Sequence, residues 1–317
     1  MRKNPWLMLL VLIFVFGTLF VFVLGSSAIS LFGGRSPIKI SSKNSIMKLK
    51  LEGIIVDEDR LLSALRKYRK ENSIKAFVIE TNSPGGVVGP SQELNAEFKR
   101  TREEFKKPVV VVSQGLLASG AYYAAVGADK IIVAPGALVG SIGVIMEFAN
   151  LEKLYDWAKV SRYSITTGKF KDSGAEYRSM RADERALFQN LINQVWLQFK
   201  QAVADGRGLK LADVEPYADG RVLTGEQAVA LKFADEVGTT ETAYKVAAKL
   251  ANISPDNYEI FELPKHRPGI FDLISGGGSD DDSKSEISEI KGLGQLAEKV
   301  LHTQLMNQPL YMMPGAW

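Results

Sequence analysis

Apolar positions along this chain repeat in three different ways, and each repeat predicts a different element. Between Trp6 and Leu24 nearly every position is Leu, Val, Ile or Phe and none is charged. Further on, Met47 to Leu51 alternates as a strand does, Arg60 to Tyr68 places apolar residues at helical spacing, and Ala76 to Thr81 reads as a strand running into the turn sequence Asn82-Ser83-Pro84-Gly85-Gly86. A helical stretch follows from about Ser91 to Phe105. Two β-branched runs, Val109 to Ser113 and Lys130 to Ala134, flank a small-residue helix that opens at Ser119. Strands alternating with helices predict an α/β fold with parallel sheet layers. After Asp183, the apolar residues Leu187, Phe188, Leu191, Ile192, Val195, Phe199 and Val203 recur every three or four positions until Gly206-Arg207-Gly208. They predict an amphipathic helix whose stripe serves as core or as a subunit contact. Gly220 to Ala228 reads as a turn, a short strand and a capped helix.

The ends of the chain differ from this middle. Roughly 20 apolar residues match the thickness of a bilayer, so residues 6–24 are expected to form one transmembrane helix inside an N-terminal membrane anchor, residues 1–28. A cleaved signal peptide is the rival reading, with small residues at Ser26-Ser27-Ala28, but its apolar region is usually shorter. Arg2 and Lys3 precede the segment while Arg35, Lys39 and Lys43 follow it, so basic residues leave the orientation open. A Ser, Gly, Lys and Pro-rich juxtamembrane linker, residues 29–45, leads to a globular domain expected over 46–264. Within residues 265–317 lies the acidic, glycine-rich Gly276 to Ser283, which holds too little apolar surface to order itself. An amphipathic stretch and the apolar end Leu310-Tyr311-Met312-Met313-Pro314 follow, a tethered peptide able to dock in a groove of its own assembly or to fray without a role.

Composition narrows the chemistry. The 317 residues carry a net charge of only +3 with no basic stripe interleaved with aromatics, which argues against nucleic acid as a partner. There is no cysteine, so thiolate catalysis, disulfides and thiolate metal sites are excluded. The two histidines, His266 and His302, both lie in the polar C-terminal stretch, far from the most nucleophile-like serine, Ser119. Ser119 follows an apolar strand and starts a helix, the placement that holds a hydroxyl at a helix N-terminus. If Ser119 attacks a carbonyl, its base is not one of these histidines, and a lysine whose amine is kept neutral by burial is the next candidate. Such a base implies an apolar pocket. Paired glycines after the preceding strand complete the pattern, because the Gly86 and Gly120 amides can form an oxyanion hole with Gly85 shaping the turn.

Taken together, Asn82 to Gly86, Ala118-Ser119-Gly120-Ala121-Tyr122-Tyr123, Gly140-Ser141-Ile142-Gly143-Val144 and Gly168-Lys169-Phe170-Lys171-Asp172 resemble the signal peptide peptidase A family. The likeness is to its short, single-repeat, membrane-anchored form and runs from about Lys48 to Val246. It implies a Clp protease/crotonase-like ββα superhelix and a serine endopeptidase that cleaves remnant signal peptides with a Ser/Lys dyad and no cofactor. It also implies a homo-oligomer in the cytoplasmic membrane, with the catalytic domain on the outer face. Carried onto this sequence, the resemblance puts the nucleophile at Ser119, the general base at Lys171 and the lysine-orienting hydroxyl at Ser141. Lys169, two positions away, is the alternative base. The two dyad members can belong to one subunit or to neighbours.

Three other readings compete. A Clp-type Ser-His-Asp peptidase needs a histidine soon after the serine helix, and none lies between Ser119 and Pro264. A membrane protease partnered with stomatin-like proteins also uses Ser and Lys and differs mainly in substrate. A crotonase-like acyl-CoA enzyme would use the same oxyanion hole with catalytic carboxylates, and near the glycine loop only Glu80 and Glu93 are at hand.

Overall fold

The computed structural model describes residues 42–254, 257–263 and 309–313. Its chain opens with β1 (Ser45–Ile55), α1 (Asp59–Tyr68), β2 (Ile74–Val87), α2 (Val88–Glu103), β3 (Val109–Ser113) and β4 (Leu116–Ala118). Next come α3 (Gly120–Ala125), β5 (Lys130–Val133), β6 (Leu138–Gly140), α4 (Glu152–Trp157), the long α5 (Ala182–Arg207) and α6 (Leu211–Val214). The last described elements are β7 (Val222–Thr224), α7 (Gly225–Ala230), β8 (Glu236–Val237), α8 (Thr240–Leu250), β9 (Glu259–Glu262) and β10 (Leu310–Met312).

The strands join in one branched, mostly parallel sheet, in the order β7-β6-β4-β2-β3-β5-β8, with β1 on β2 and β9 on β1. The branch is at β2: Phe77 to Glu80 pair with β3, and Ser83 pairs with β4. A parallel sheet covered on both faces needs continuous apolar strands, and Phe77, Val78, Ile79, Val109, Val110, Ile131 and Ile132 are fully buried. Helix α8 covers one face, packing Ala243, Tyr244, Ala247 and Ala248 against Ile46, Val78, Val110 and Ile132. The mixed α/β class and the parallel pairing agree with the sequence reading.

Two elements depart from the pattern. The glycine turn does not interrupt β2, which continues to Val87, because Gly85 and Gly86 pair with Ile54 and Ile55 of β1 on one side and with β10 on the other. The stripe on α5 splits along its length. Phe199 and Val203 are fully buried, whereas Leu187 and Leu191 are 41% and 37% exposed. Between the end of α4 and the start of α5 the chain exposes Trp157, Tyr163 and Ile165 by 80%, 79% and 95%. No helix among the described residues is long and apolar enough to cross a membrane, and the expected anchor at residues 6–24 lies outside them.

Candidate active site

Strand β4 ends at Ala118 beside Gly140 of β6, and the chain turns into α3 at Ser119. The turn is sharp. Ser119 has φ 51° and ψ −116°, a conformation that L-residues rarely hold unless the surroundings impose it. Here its amide donates to the Gly140 carbonyl at 2.6 Å, and its carbonyl accepts from the Tyr123 amide at 2.8 Å. Its hydroxyl is buried and has no hydrogen-bond partner among the described residues. A buried polar atom without a partner is costly, and such atoms concentrate at functional sites.

The glycines earn their positions by close approach. A methyl group on Gly85, whose φ is +96°, would lie 2.1 Å from the Tyr311 carbonyl oxygen, 2.5 Å from the Gly120 nitrogen and 3.0 Å from Ser119 Cβ. On Gly120 it would lie 2.4 Å from Ser91 Oγ, 2.9 Å from the same carbonyl oxygen and 3.1 Å from the Gly86 nitrogen. The Tyr311 carbonyl oxygen therefore comes close to the Gly120 and Gly86 amides and to Ser119. Ser91 closes the rim, its hydroxyl donating to the Val87 carbonyl at 2.8 Å.

That carbonyl arrives on β10. The strand lies antiparallel to the end of β2, with Leu310 opposite Val87, Tyr311 opposite Gly86 and Met312 opposite Gly85. Met313 donates its amide to the Pro84 carbonyl at 2.9 Å, and the alternation of an antiparallel ladder then makes Tyr311–Gly86 a hydrogen-bonded pair, with the Gly86 N–H aimed at Tyr311. On its other edge Leu310 exchanges two bonds with Ile145, at 2.9 and 3.1 Å. The groove thus takes an extended peptide as an added strand between Gly86 and Ile145. Leu310 and Met312 pack on Ile54, Val56, Val87 and Ile145. Tyr311 points the other way, into a pocket with Tyr123 and Phe199.

Ser141 follows Gly140, the residue whose carbonyl holds the Ser119 amide. It is buried, has φ 51° and donates its amide to Arg221 at 2.9 Å. Lys171 is not brought there within the single chain. It is exposed, in a turn closed by its own amide bonding to the Gly168 carbonyl. Arg178 fixes that turn by donating to the Asp172 carbonyl at 3.0 Å while pairing with Asp172 and with the buried Glu184. Lys169 is tied to Asp183 at 2.6 Å.

A family model described as peptidase family S49 matches residues 101–254. A Synechocystis protein bearing a protease name is 36% identical over 243 residues, covering 76% of this chain and 86% of the relative. The chain belongs to peptidase family S49. A Methanocaldococcus jannaschii protein, also bearing a protease name, is 34% identical over 80% of this chain and 83% of its own length. The chloroplastic serine protease SPPA of Arabidopsis thaliana is 32% identical over 79% of this chain and 38% of the relative. Membership makes the chain a serine protease, with peptides as substrates.

Of the residues that sequence reasoning named, Gly120 lies close to Gly86, and Ser141 follows the Gly140 whose carbonyl accepts from the Ser119 amide. Sequence reasoning missed the edge offered by Ile145 and the pocket of Tyr123 and Phe199. One signal for that pocket was present: Tyr123 lies one helical turn after Ser119, so it shares that residue's side of α3.

Proposed function

We propose that this S49 protease is a membrane-anchored serine endopeptidase in which Ser119 is the nucleophile and Lys171 the general base. The observation that carries the reading is the Tyr311 carbonyl held beside the Gly86 and Gly120 amides and Ser119. It is the geometry an acyl substrate needs. In the reaction, the neutral amine of Lys171 takes the Ser119 proton as Oγ bonds to the scissile carbonyl carbon. The Gly86 and Gly120 amides hold the developing oxyanion. The C–N bond then breaks, the ammonium protonates the leaving amine, and water hydrolyses the ester. Ser141 orients the lysine amine. Every step uses groups of the chain itself, without a cofactor.

Lys171 is favoured over Lys169 because Lys169 is already paired with Asp183. Its exposure, together with the unpartnered Ser119 hydroxyl, supports completion of the site by a second copy of the chain. The bare Trp157, Tyr163 and Ile165 on the same excursion suit burial against that copy. Burial there would also desolvate the lysine and favour its neutral form. The apolar groove suits remnant signal peptides presented at the membrane, with residues 6–24 as the anchor and the catalytic domain, spanning 46–264, on the outer face. The finer fold assignment, a Clp/crotonase-like ββα superhelix, belongs to the same reading. Hydrolysis of an apolar peptide by the full-length protein, compared with Ser119→Ala and Lys171→Ala, tests it. Loss in both variants with folding retained is expected, and undiminished hydrolysis in either would overturn that residue's role.

A further inference from the structure

The two halves of the site arrive on different strands. Gly86 lies near the end of β2, whereas Ser119 and Gly120 follow the short β4. Their separation is set by how β4 stands against the upper part of β2, and that pairing is thin. Strand β2 pairs Phe77 to Glu80 with β3, and among the described residues Ser83 alone pairs with β4, at Leu117. On its other edge β4 is paired with β6 from Leu116 to Ala118. That edge fixes Ser119 to Gly140 but not to Gly86.

A side chain supplies a further rung between β2 and β4. The Leu116 amide, at the start of β4, donates to Asn82 Oδ1 at 3.2 Å. A methyl group on Gly115 would lie 3.0 Å from the same oxygen, so a glycine there lets the chain pass close to Asn82 on its way from β3. By strand alternation Asn82 shares a face of β2 with Glu80, and the two line a cleft of about 360 Å³ with Glu52, Gln114 and Thr240. The apolar lining of the peptide groove is made by other residues, Ile54, Val56, Val87 and Ile145.

From this we infer that Asn82 is a positioning residue for the peptidase reaction, its side-chain oxygen setting the distance between Ser119 on β4 and the Gly86 amide on β2. The inference rests on the reading of Ser119 as nucleophile and Gly86 as oxyanion donor. Ser119 attacks a carbonyl carbon while Gly86 holds the oxygen of that carbonyl, so a change in strand spacing harms the transition state more than it harms peptide binding. Water in the cleft can take over the freed Leu116 amide, which keeps the loss of stability small. It does not hold two strands in place. Aspartate at position 82 keeps an oxygen able to accept from Leu116, and alanine does not.

The test follows hydrolysis of a quenched fluorescent peptide, Pro-Leu-Tyr-Met-Met, by the full-length protein in detergent, for wild type, Asn82→Ala and Asn82→Asp. The final extent of fluorophosphonate labelling at Ser119 counts the intact sites, so kcat is expressed per site. Asn82→Ala is expected to lower kcat about 100-fold, the cost of misplacing reacting groups by about 1 Å, and to leave KM unchanged. Asn82→Asp should recover most of that loss, and the thermal midpoints of all three proteins should lie close together. Equal kcat in Asn82→Ala and wild type would overturn the positioning role, as would a loss that fewer intact sites account for. Aspartate as poor as alanine would overturn the role of the acceptor oxygen. A folded wild type that neither hydrolyses the peptide nor labels at Ser119 would overturn the peptidase reading, and this inference with it.

Discussion

Tyr311 and Gly86 face each other across an antiparallel ladder, so a residue near the C-terminus delivers its carbonyl to the amide at the end of β2. The groove holds a piece of its own chain in the manner of a substrate. What a peptidase does to other peptides at this site it is placed to do, or to be hindered from doing, by residues 309–313.

The resident strand should compete with added peptide. Tyr311→Asp would put a carboxylate against two aromatic rings, and burying an unpaired charge is far costlier than leaving the groove. Steady-state assays should show an apparent KM for added peptide lowered several-fold, about threefold or more by the mass-action logic of a displaced competitor. Equal values for variant and wild type would mean that the strand does not compete.

Gly85→Ala places a methyl 2.1 Å from the substrate-like carbonyl and imposes a side chain at φ +96°. The backbone penalty is about 1–3 kcal/mol, while misplacing the oxyanion donors should cost about 100-fold in kcat. Calorimetry alongside kinetics separates the two. A variant that loses no more activity than its stability loss explains would show that this approach is not needed for catalysis.

Glu184 ties the Lys171 turn to the start of α5. Its hydrogen bond from Arg178, with help from the Arg181 amide and both guanidinium charges, holds its carboxyl at about 2 despite burial. A depressed folded-state value gives stability that is fully present above the unfolded carboxylate value, about 4.3, and is lost as pH falls from there through the folded value. Glu184→Gln should therefore lower the thermal midpoint at pH 7 and flatten its fall at acid pH, and the two proteins should converge near the folded value. It should also loosen the turn and reduce kcat. Parallel midpoint curves for the two proteins across the acid range would contradict this role.

If one copy supplies the serine and another the lysine, mixing inactive Ser119→Ala and Lys171→Ala proteins should restore activity. Mixed assembly leaves some sites with both intact residues. Recovery to about a quarter of wild type is expected for random pairing of equal amounts when each site draws on two copies. No recovery in demonstrably mixed oligomers would put both residues in one chain.

Much of this was legible in local pattern. The buried β-branched run Val109 to Val112 and the spacing of Ser119, Gly86 and Gly120 carry their own signals, because strand periodicity and glycine placement are local properties. The continuation of β2 through Pro84-Gly85-Gly86 was not legible, since turn residues become strand only when β1 and β10 supply partners on both sides. Nor could the division of the α5 stripe be read. Leu187 and Phe199 look alike in sequence, and only tertiary contact decides which is covered. Tyr311 lies far along the chain from Gly86, so its apolar neighbours left docking and fraying both open and named no dock.

The central claim is that Ser119 is made nucleophilic by the amine of Lys171. The most direct measurement is the extent and site of labelling by a fluorophosphonate probe, read by peptide mass mapping in the full-length protein and in Lys171→Ala. The account predicts a single adduct on Ser119 in the wild type and labelling slowed at least about 100-fold in Lys171→Ala, within the range for loss of a general base. An adduct on another residue, or labelling of Ser119 at an unchanged rate without Lys171, would contradict it.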